Sequence, residues 1–162
     1  MFERFDTTSG TAVVRAREEA RMLGATRLEA EHLLLALSGQ AASDAGRVLA
    51  DTGLDHDGVR DALDAELMRS LEAAGVNVGA VGLLDRPLPT MGQPRWGASA
   101  KAAIERALTI AKARGDRRIH PSHILLGVLH ADEGTVPRAL ASAGVDGPAL
   151  VASAEATLGD SR

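Results

Sequence analysis

One fixed offset runs through this chain. Arg15, Ala16, Ala20, Gly24, His32, Leu34, Leu35, Arg47, Leu49, Ala50, Gly53 and Asp55 recur 91 residues later as Arg106, Ala107, Ala111, Gly115, His123, Leu125, Leu126, Arg138, Leu140, Ala141, Gly144 and Asp146. Conservative pairs fill the intervals: Val13 with Ile104, Leu28 with Ile119, Leu33 with Ile124, Leu54 with Val145. The register holds without a gap over roughly 55 residues, which marks an internal duplication. Two tandem copies of one unit predict a single pseudo-two-fold domain that works through its repeated surfaces or the groove between them.

Each copy reads as four helices, so the expected fold is all-α with eight helices in two tandem four-helix repeats. In the first copy Val13, Ala16, Ala20 and Leu23 fall at helical spacing over residues 8–23, and Gly24 supplies the left-handed stop. The run from Glu31 to Leu37 is apolar enough to be buried on most faces. Ser43 caps a third helix ending at Gly53. Asp55 caps a fourth, with Val59, Leu63 and Leu67 facing inward and Gly75 as its stop.

The second copy repeats this punctuation. Ser99 or Ala98 opens the first helix and Gly115 closes it. Pro121 suits a first helical turn, Thr135 starts the third helix and Asp146 caps the fourth. These readings place repeat one at 3–74 and repeat two at 98–159. The linker, 75–97, is rich in Gly and Pro, and its Val81, Leu83, Leu84 and Leu88 suggest a segment that packs back on the domain.

Composition narrows the function. Apolar residues make up 45% of the chain but aromatics only 2%, so the core must be aliphatic and alanine-rich, which favours closely packed helices. A net charge of −4 leaves no electrostatic footprint for nucleic acid. The absence of cysteine excludes disulfides, thiolate zinc sites and a cysteine nucleophile. No stretch reaches the roughly 18 apolar residues of a membrane span, and the N-terminus has no signal-peptide core, so a cytoplasmic location is expected.

An MFERF opening at 1–5, the EARMLG ending of the first helix at 19–24, EAEHLLLAL at 29–37 and PSHILLGVL at 121–129 together resemble the N-terminal domain of the Clp unfoldases, of the ClpC and ClpA type. The resemblance implies a domain that receives protein substrates and adaptors for an ATPase ring and is not itself an enzyme. The chain has only two lysines, Lys101 and Lys112, and neither stands in a G-x-x-x-x-G-K-[ST] phosphate loop. Its opening and its short polar end suggest a stand-alone protein, with a Clp unfoldase as a partner. No cofactor motif is present.

The resemblance also implies site residues. ClpC-type repeats can carry phosphoarginine pockets, in which a carboxylate on the EHLLLGL helix takes the guanidinium and groups at the start of the first helix take the phosphate. In the first copy the carboxylate is Glu31, but Asp6 stands where the family has threonine and should repel phosphate. In the second, Ser122 replaces the carboxylate and Gly97 the threonine, while basic Lys101 remains. Weak or absent phosphoarginine binding follows. Glu31 has a plainer reading as a first-turn acid on the helix dipole.

Phe2 and Trp96 match family positions on a hydrophobic surface between the copies, which in actinobacterial relatives resembles a docking site for cyclomarin-type cyclic-peptide antibiotics. With Arg4, Arg95 and Lys101 beside them they form a candidate peptide anchor that no aliphatic core requires. Phe5, related to Trp96 by the same offset, reads as a core plug. His32 and His123 sit in apolar helices without ligand-spaced partners and read as buried structural residues, not metal ligands. Ser122 and His123 are sequence neighbours that point apart on a helix, so they are no catalytic pair.

Overall fold

A computed structural model describes residues 2–77 and 88–159. After a 3-10 turn at Phe2–Arg4, the helices are α1 (Thr7–Met22), α2 (Ala30–Ser38), α3 (Asp44–Asp51), α4 (His56–Ala73), α5 (Ala98–Arg114), α6 (Pro121–Leu129), α7 (Thr135–Ser142) and α8 (Gly147–Gly159). The expected caps form: Ser43 Oγ accepts from the Gly46 N–H, Asp55 from Gly58 and Asp146 from Ala149. Gly24, Gly53, Gly115 and Gly144 take positive φ at the corresponding ends of the two copies.

Helices α2 and α6 form the centre. Leu33, Leu34, Leu35 and Leu37 of α2, and Ile124, Leu125, Leu126 and Val128 of α6, are all essentially inaccessible. Their repeated histidine is the third residue of each helix. The Glu29 N–H donates to His32 Nδ1 at 2.9 Å, and the His120 N–H donates to His123 Nδ1 at 3.0 Å. An imidazole thus does the work that Glu or Gln does in an ordinary capping box, and both rings are buried.

The strand content joins the copies. β1 (Arg27–Leu28), in the α1–α2 loop, pairs in parallel with β2 (Arg95–Trp96), with Leu28 opposite Trp96. The offset maps this pair onto Ile119 and Phe5, which form a parallel bridge of their own. Backbone bonds repeat the relation: Gly97 N–H donates to Leu28 O at 2.8 Å, and Asp6 N–H to Ile119 O at 3.1 Å. Each copy's lead-in is therefore held by the other copy's loop.

The fold differs from expectation at three places. Residues 95–97, assigned by composition to the linker, form β2 and cap α5. Leu88 does not pack back, being 86% exposed; the linker docks instead through Thr90, which bonds Arg21 O and Ala25 O, and through buried Pro94. Val81, Leu83 and Leu84 lie outside the described residues. On α4 the inward stripe is Val59, Ala62 and Glu66, leaving Leu67 54% exposed. Glu66 tolerates burial because its carboxylate accepts from Arg138 Nε at 2.6 Å, Arg69 Nη2 at 2.5 Å and Ser70 Oγ at 2.8 Å.

Candidate functional site

Because the lead-ins are exchanged, both candidate pockets are composite. Asp6 and Thr8 of the first copy line one with Ser43 and Asp44 at the start of α3, facing His120, Pro121 and Ser122 of the second copy. Asp6 therefore shares its pocket with Ser122 of the second copy, and Glu31 of its own copy is not among the lining residues. In the other pocket the start of α2, with Glu31, meets the start of α5: Ser99 Oγ accepts from the Ala30 N–H at 2.9 Å.

Each pocket already holds an anion of the chain at a helix N-terminus. Asp6 Oδ1 accepts from the Ser9 N–H at 2.7 Å, capping α1, while its other oxygen accepts from His120 Nδ1 at 2.6 Å. At α5 the capping carboxylate comes from across the seam. Glu29 Oε2 accepts from the Ser99 N–H at 3.0 Å and from Ser99 Oγ at 2.5 Å. A Cβ on Gly97 would stand 2.0 Å from that carboxyl group, so glycine is what admits it. Asp6 with His120 in one pocket is thereby exchanged for Gly97 with Glu29 in the other. Comparing the copies position by position could have revealed this paired exchange; reading each copy alone hides it.

At the guanidinium end, burial pushes the Glu31 carboxyl above its ordinary range, against the opposing charge of Arg138. Hydrogen bonds from Arg138, Arg69 and Ser70 hold Glu66 down to about 2. In the opposite pocket neutral groups take these places, with Ser122 and Thr157 hydroxyls 2.7 Å apart. Glu66 escaped the sequence reading because its equivalent is the neutral Thr157.

The His120 ring stacks on His123 with centroids 5.7 Å apart. His123 Nδ1 accepts a backbone N–H, so its neutral ring carries the proton on Nε2 and donates to Asp116 Oδ2 at 3.1 Å. Burial lowers the pKa of both His32 and His123. Burial raises that of Asp116, but bonds from His123 and Arg114 outweigh it and leave the carboxyl below its ordinary value. Among the described residues no group of three His, Cys, Asp or Glu is placed to hold a metal ion, and no helix is long and apolar enough to cross a membrane.

At the seam between the copies, the Phe2 ring stacks on Trp96 at 5.7 Å and contacts Phe5 at 5.1 Å. Three of the chain's scarce aromatics thus meet at one place, where Phe2 stays 43% exposed while Phe5 is buried. Trp96 is half-buried and packs on the aliphatic core, so it is less free of the core than its place after the linker suggests. Arg4 is turned away: its guanidinium donates to Asp116 O at 3.0 Å and to Arg117 O at 3.5 Å. Lys101 and Arg95 are exposed.

Two four-helix copies, clasped by exchanged lead-ins and meeting at an aromatic seam, define a pseudo-two-fold helical domain. The chain belongs to the Clp repeat (R) N-terminal domain family, which it matches over residues 4–81 and 96–161. It is 30% identical over 154 residues to the chaperone protein ClpD2, chloroplastic, of Oryza sativa subsp. japonica, and 31% identical over 146 residues to that organism's chaperone protein ClpC1, chloroplastic. Those alignments cover 95% and 90% of this chain but only 15% and 14% of the relatives. The N-terminal domain of ClpD from Arabidopsis thaliana superposes with a TM-score of 0.70 at 24% identity, covering 98% of this chain and 99% of that one. The Hsp104 N-terminal domain from Candida albicans gives 0.69 at 17% identity, covering 99% and 95%.

Proposed function

We propose that the chain is a non-enzymatic receiving module that takes exposed protein segments or adaptors at the Phe2/Trp96 seam, in the service of a Clp unfoldase and regulated proteolysis in the cytoplasm. The observation that carries this is the stacked Phe2–Trp96 pair. In a chain with 2% aromatics, one ring of a stacked pair is left 43% exposed where both lead-ins converge. Such a platform suits an apolar side chain of a partner better than it suits stability. In this reading Glu31 and Lys101 are assigned to the charged surroundings of the receiving face, and Arg4 supports it by fixing the lead-in.

The same platform also favours a second reading, in which the seam sequesters a cyclic peptide of the cyclomarin type. Phosphoarginine should bind weakly or not at all, because Asp6 and Glu29 occupy the two helix N-termini that would take the phosphate.

The test is titration of an unfolded, labelled client and of the cyclic peptide against wild type, Phe2→Ala and Trp96→Leu, following Trp96 emission where that residue is retained. Loss of client binding in folded Phe2→Ala supports the receiving module. Binding of the cyclic peptide alone moves the assignment to the second reading, and unchanged binding of both ligands in both variants refutes the seam.

A further inference from the structure

The seam carries a pair of arginines that no structural role accounts for. Arg27 and Arg95 stand opposite each other in the β1–β2 ladder, both exposed, so two guanidinium groups share one face of a parallel pair. Like charges in direct cross-strand register repel. Among the described residues neither guanidinium group makes a hydrogen bond or an ion pair. The nearest acid in sequence, Glu29, is spent on Ser99 across the seam, and Glu18 is spent on Arg21. The two arginines line an open cleft of about 360 Å³ together with Thr26, Thr90 and Gln93, which add polar groups and no carboxylate.

The second copy shows what Arg95 would do if it were structural. The offset carries Arg95 to Arg4 and Arg27 to Arg118, which flank the Phe5–Ile119 bridge. There Arg4 is used up on the loop carbonyls of Asp116 and Arg117. At the first seam the equivalent of Asp116 is Ala25, so that position carries no acid. The Ala25 carbonyl is taken by Thr90 Oγ1 at 2.9 Å. The linker threonine has assumed the bracing role and released Arg95 into the cleft.

We infer that the Arg27/Arg95 cleft is an oxyanion site that binds the side-chain carboxylates of an acidic peptide segment, lying beside the aromatic platform. Two adjacent planar donor forks match carboxylate oxygens in bidentate geometry. A bound anion removes the repulsion that the ladder imposes on the pair. With a net charge of −4 this is a local basic spot on an acidic molecule, which suits a short acidic stretch better than a polyanion such as nucleic acid. The peptide class of the ligand rests on the receiving-module reading above; the oxyanion chemistry does not.

The test uses the whole chain and three probes: a labelled ten-residue peptide with four glutamates, the same peptide with glutamines, and inorganic phosphate. Fluorescence anisotropy is read for wild type, Arg27→Gln, Arg95→Gln, the double variant and the matched control Arg118→Gln. The glutamate peptide should bind wild type, more weakly as salt is raised, and each single variant should lose roughly tenfold in affinity. The double variant should not bind, Arg118→Gln should bind as wild type, and the glutamine peptide should not bind. Equal affinity of the double variant and wild type, or of the two peptides, overturns the site. Saturable binding of inorganic phosphate without binding of the glutamate peptide overturns the acidic-peptide assignment. A melting temperature lowered in Arg27→Gln overturns the claim that the pair repels. An unfolded client that still binds the double variant but not Phe2→Ala removes this site and leaves the receiving module standing.

Discussion

Replacing Gly127 with alanine sets two opposed effects against each other at one atom. Alanine is the better helix former, by about 1 kcal/mol in a helix interior, so propensity alone predicts a more stable protein. The structure predicts the opposite. A Cβ on Gly127 would lie 2.1 Å from the carbonyl oxygen of Ala103 and 3.1 Å from the Ala107 nitrogen. A carbon–oxygen contact of this kind relaxes to about 3.3–3.6 Å, so α5 and α6 must part by about 1 Å. Ala103, Ala107, Ile124 and Val128 are all buried in these two helices, and the Gly127 carbonyl also accepts from Arg106 Nε at 2.7 Å. Overpacking a well-filled core costs about 1–3 kcal/mol, and the propensity gain offsets part of it. A net loss of up to about 2 kcal/mol lowers the melting temperature by up to about 4–8 °C for a domain of this size. The first copy supplies the control. Its equivalent residue is Ala36, already buried with its methyl group in place, so Ala36→Gly should also destabilise. Thermal unfolding followed by circular dichroism measures both variants. A melting temperature of Gly127→Ala equal to or above wild type would show that the helices close up without strain and would refute the reasoning.

Three further outcomes follow from the pockets and buried charges. Asp6 and Ser122 share one pocket, so Asp6→Thr/Ser122→Glu together should raise phosphoarginine affinity more than the product of the single effects; strict additivity by calorimetric titration counts against the composite geometry. Burial lowers the folded-state pKa of His123 below 6.5, so the unfolded chain binds more protons and this group's contribution is lost as pH falls below 6.5. In urea titrations the stability deficit of His123→Asn relative to wild type should therefore shrink between pH 7.5 and pH 5, and a constant deficit argues against a neutral buried ring. Glu66 is held down to about 2 from 4.5, so its contribution is present above 4.5 and lost as pH falls toward 2. Glu66→Gln should melt lower than wild type at pH 7 and lose less than wild type on acidification; an unchanged melting temperature at pH 7 counts against the Arg138–Glu66–Arg69 cluster.

The helices and their ends were legible because caps and stops are local: Ser43, Asp55, Asp146, Pro121 and the positive-φ glycines act within a few residues of themselves. The pairing of Phe2 with Trp96 was legible through the offset, since a pseudo-two-fold brings both lead-ins to one seam. Pocket membership was not. Which copy's α2 faces which copy's lead-in depends on how the halves cross, and a repeat reads the same either way. Burial of Glu66 in place of Leu67 was hidden because a carboxylate becomes an inward residue only when guanidinium groups from elsewhere, here Arg138 of the other copy, reach it. The acid at the α5 N-terminus was hidden for the same reason, since Glu29 caps a helix that begins about 70 residues later.

The exchange of lead-ins bears on how the protein can assemble. Neither half is self-sufficient: Arg4 and Asp6 are tied to Ile119, and Arg95 and Gly97 to Thr26 and Leu28, so each half carries the clasp that fastens the other. The same clasps can close between two molecules, with the first half of one chain fastened to the second half of another, and every seam contact would be made as before. The choice between the two forms is then set by the number of residues between Asn77 and Leu88, through effective concentration and not through contact energy. Deleting several residues there should yield a half-exchanged dimer with an unaltered aromatic seam, detectable by light scattering. The receiving surface would thereby be doubled on one particle without a single new interaction.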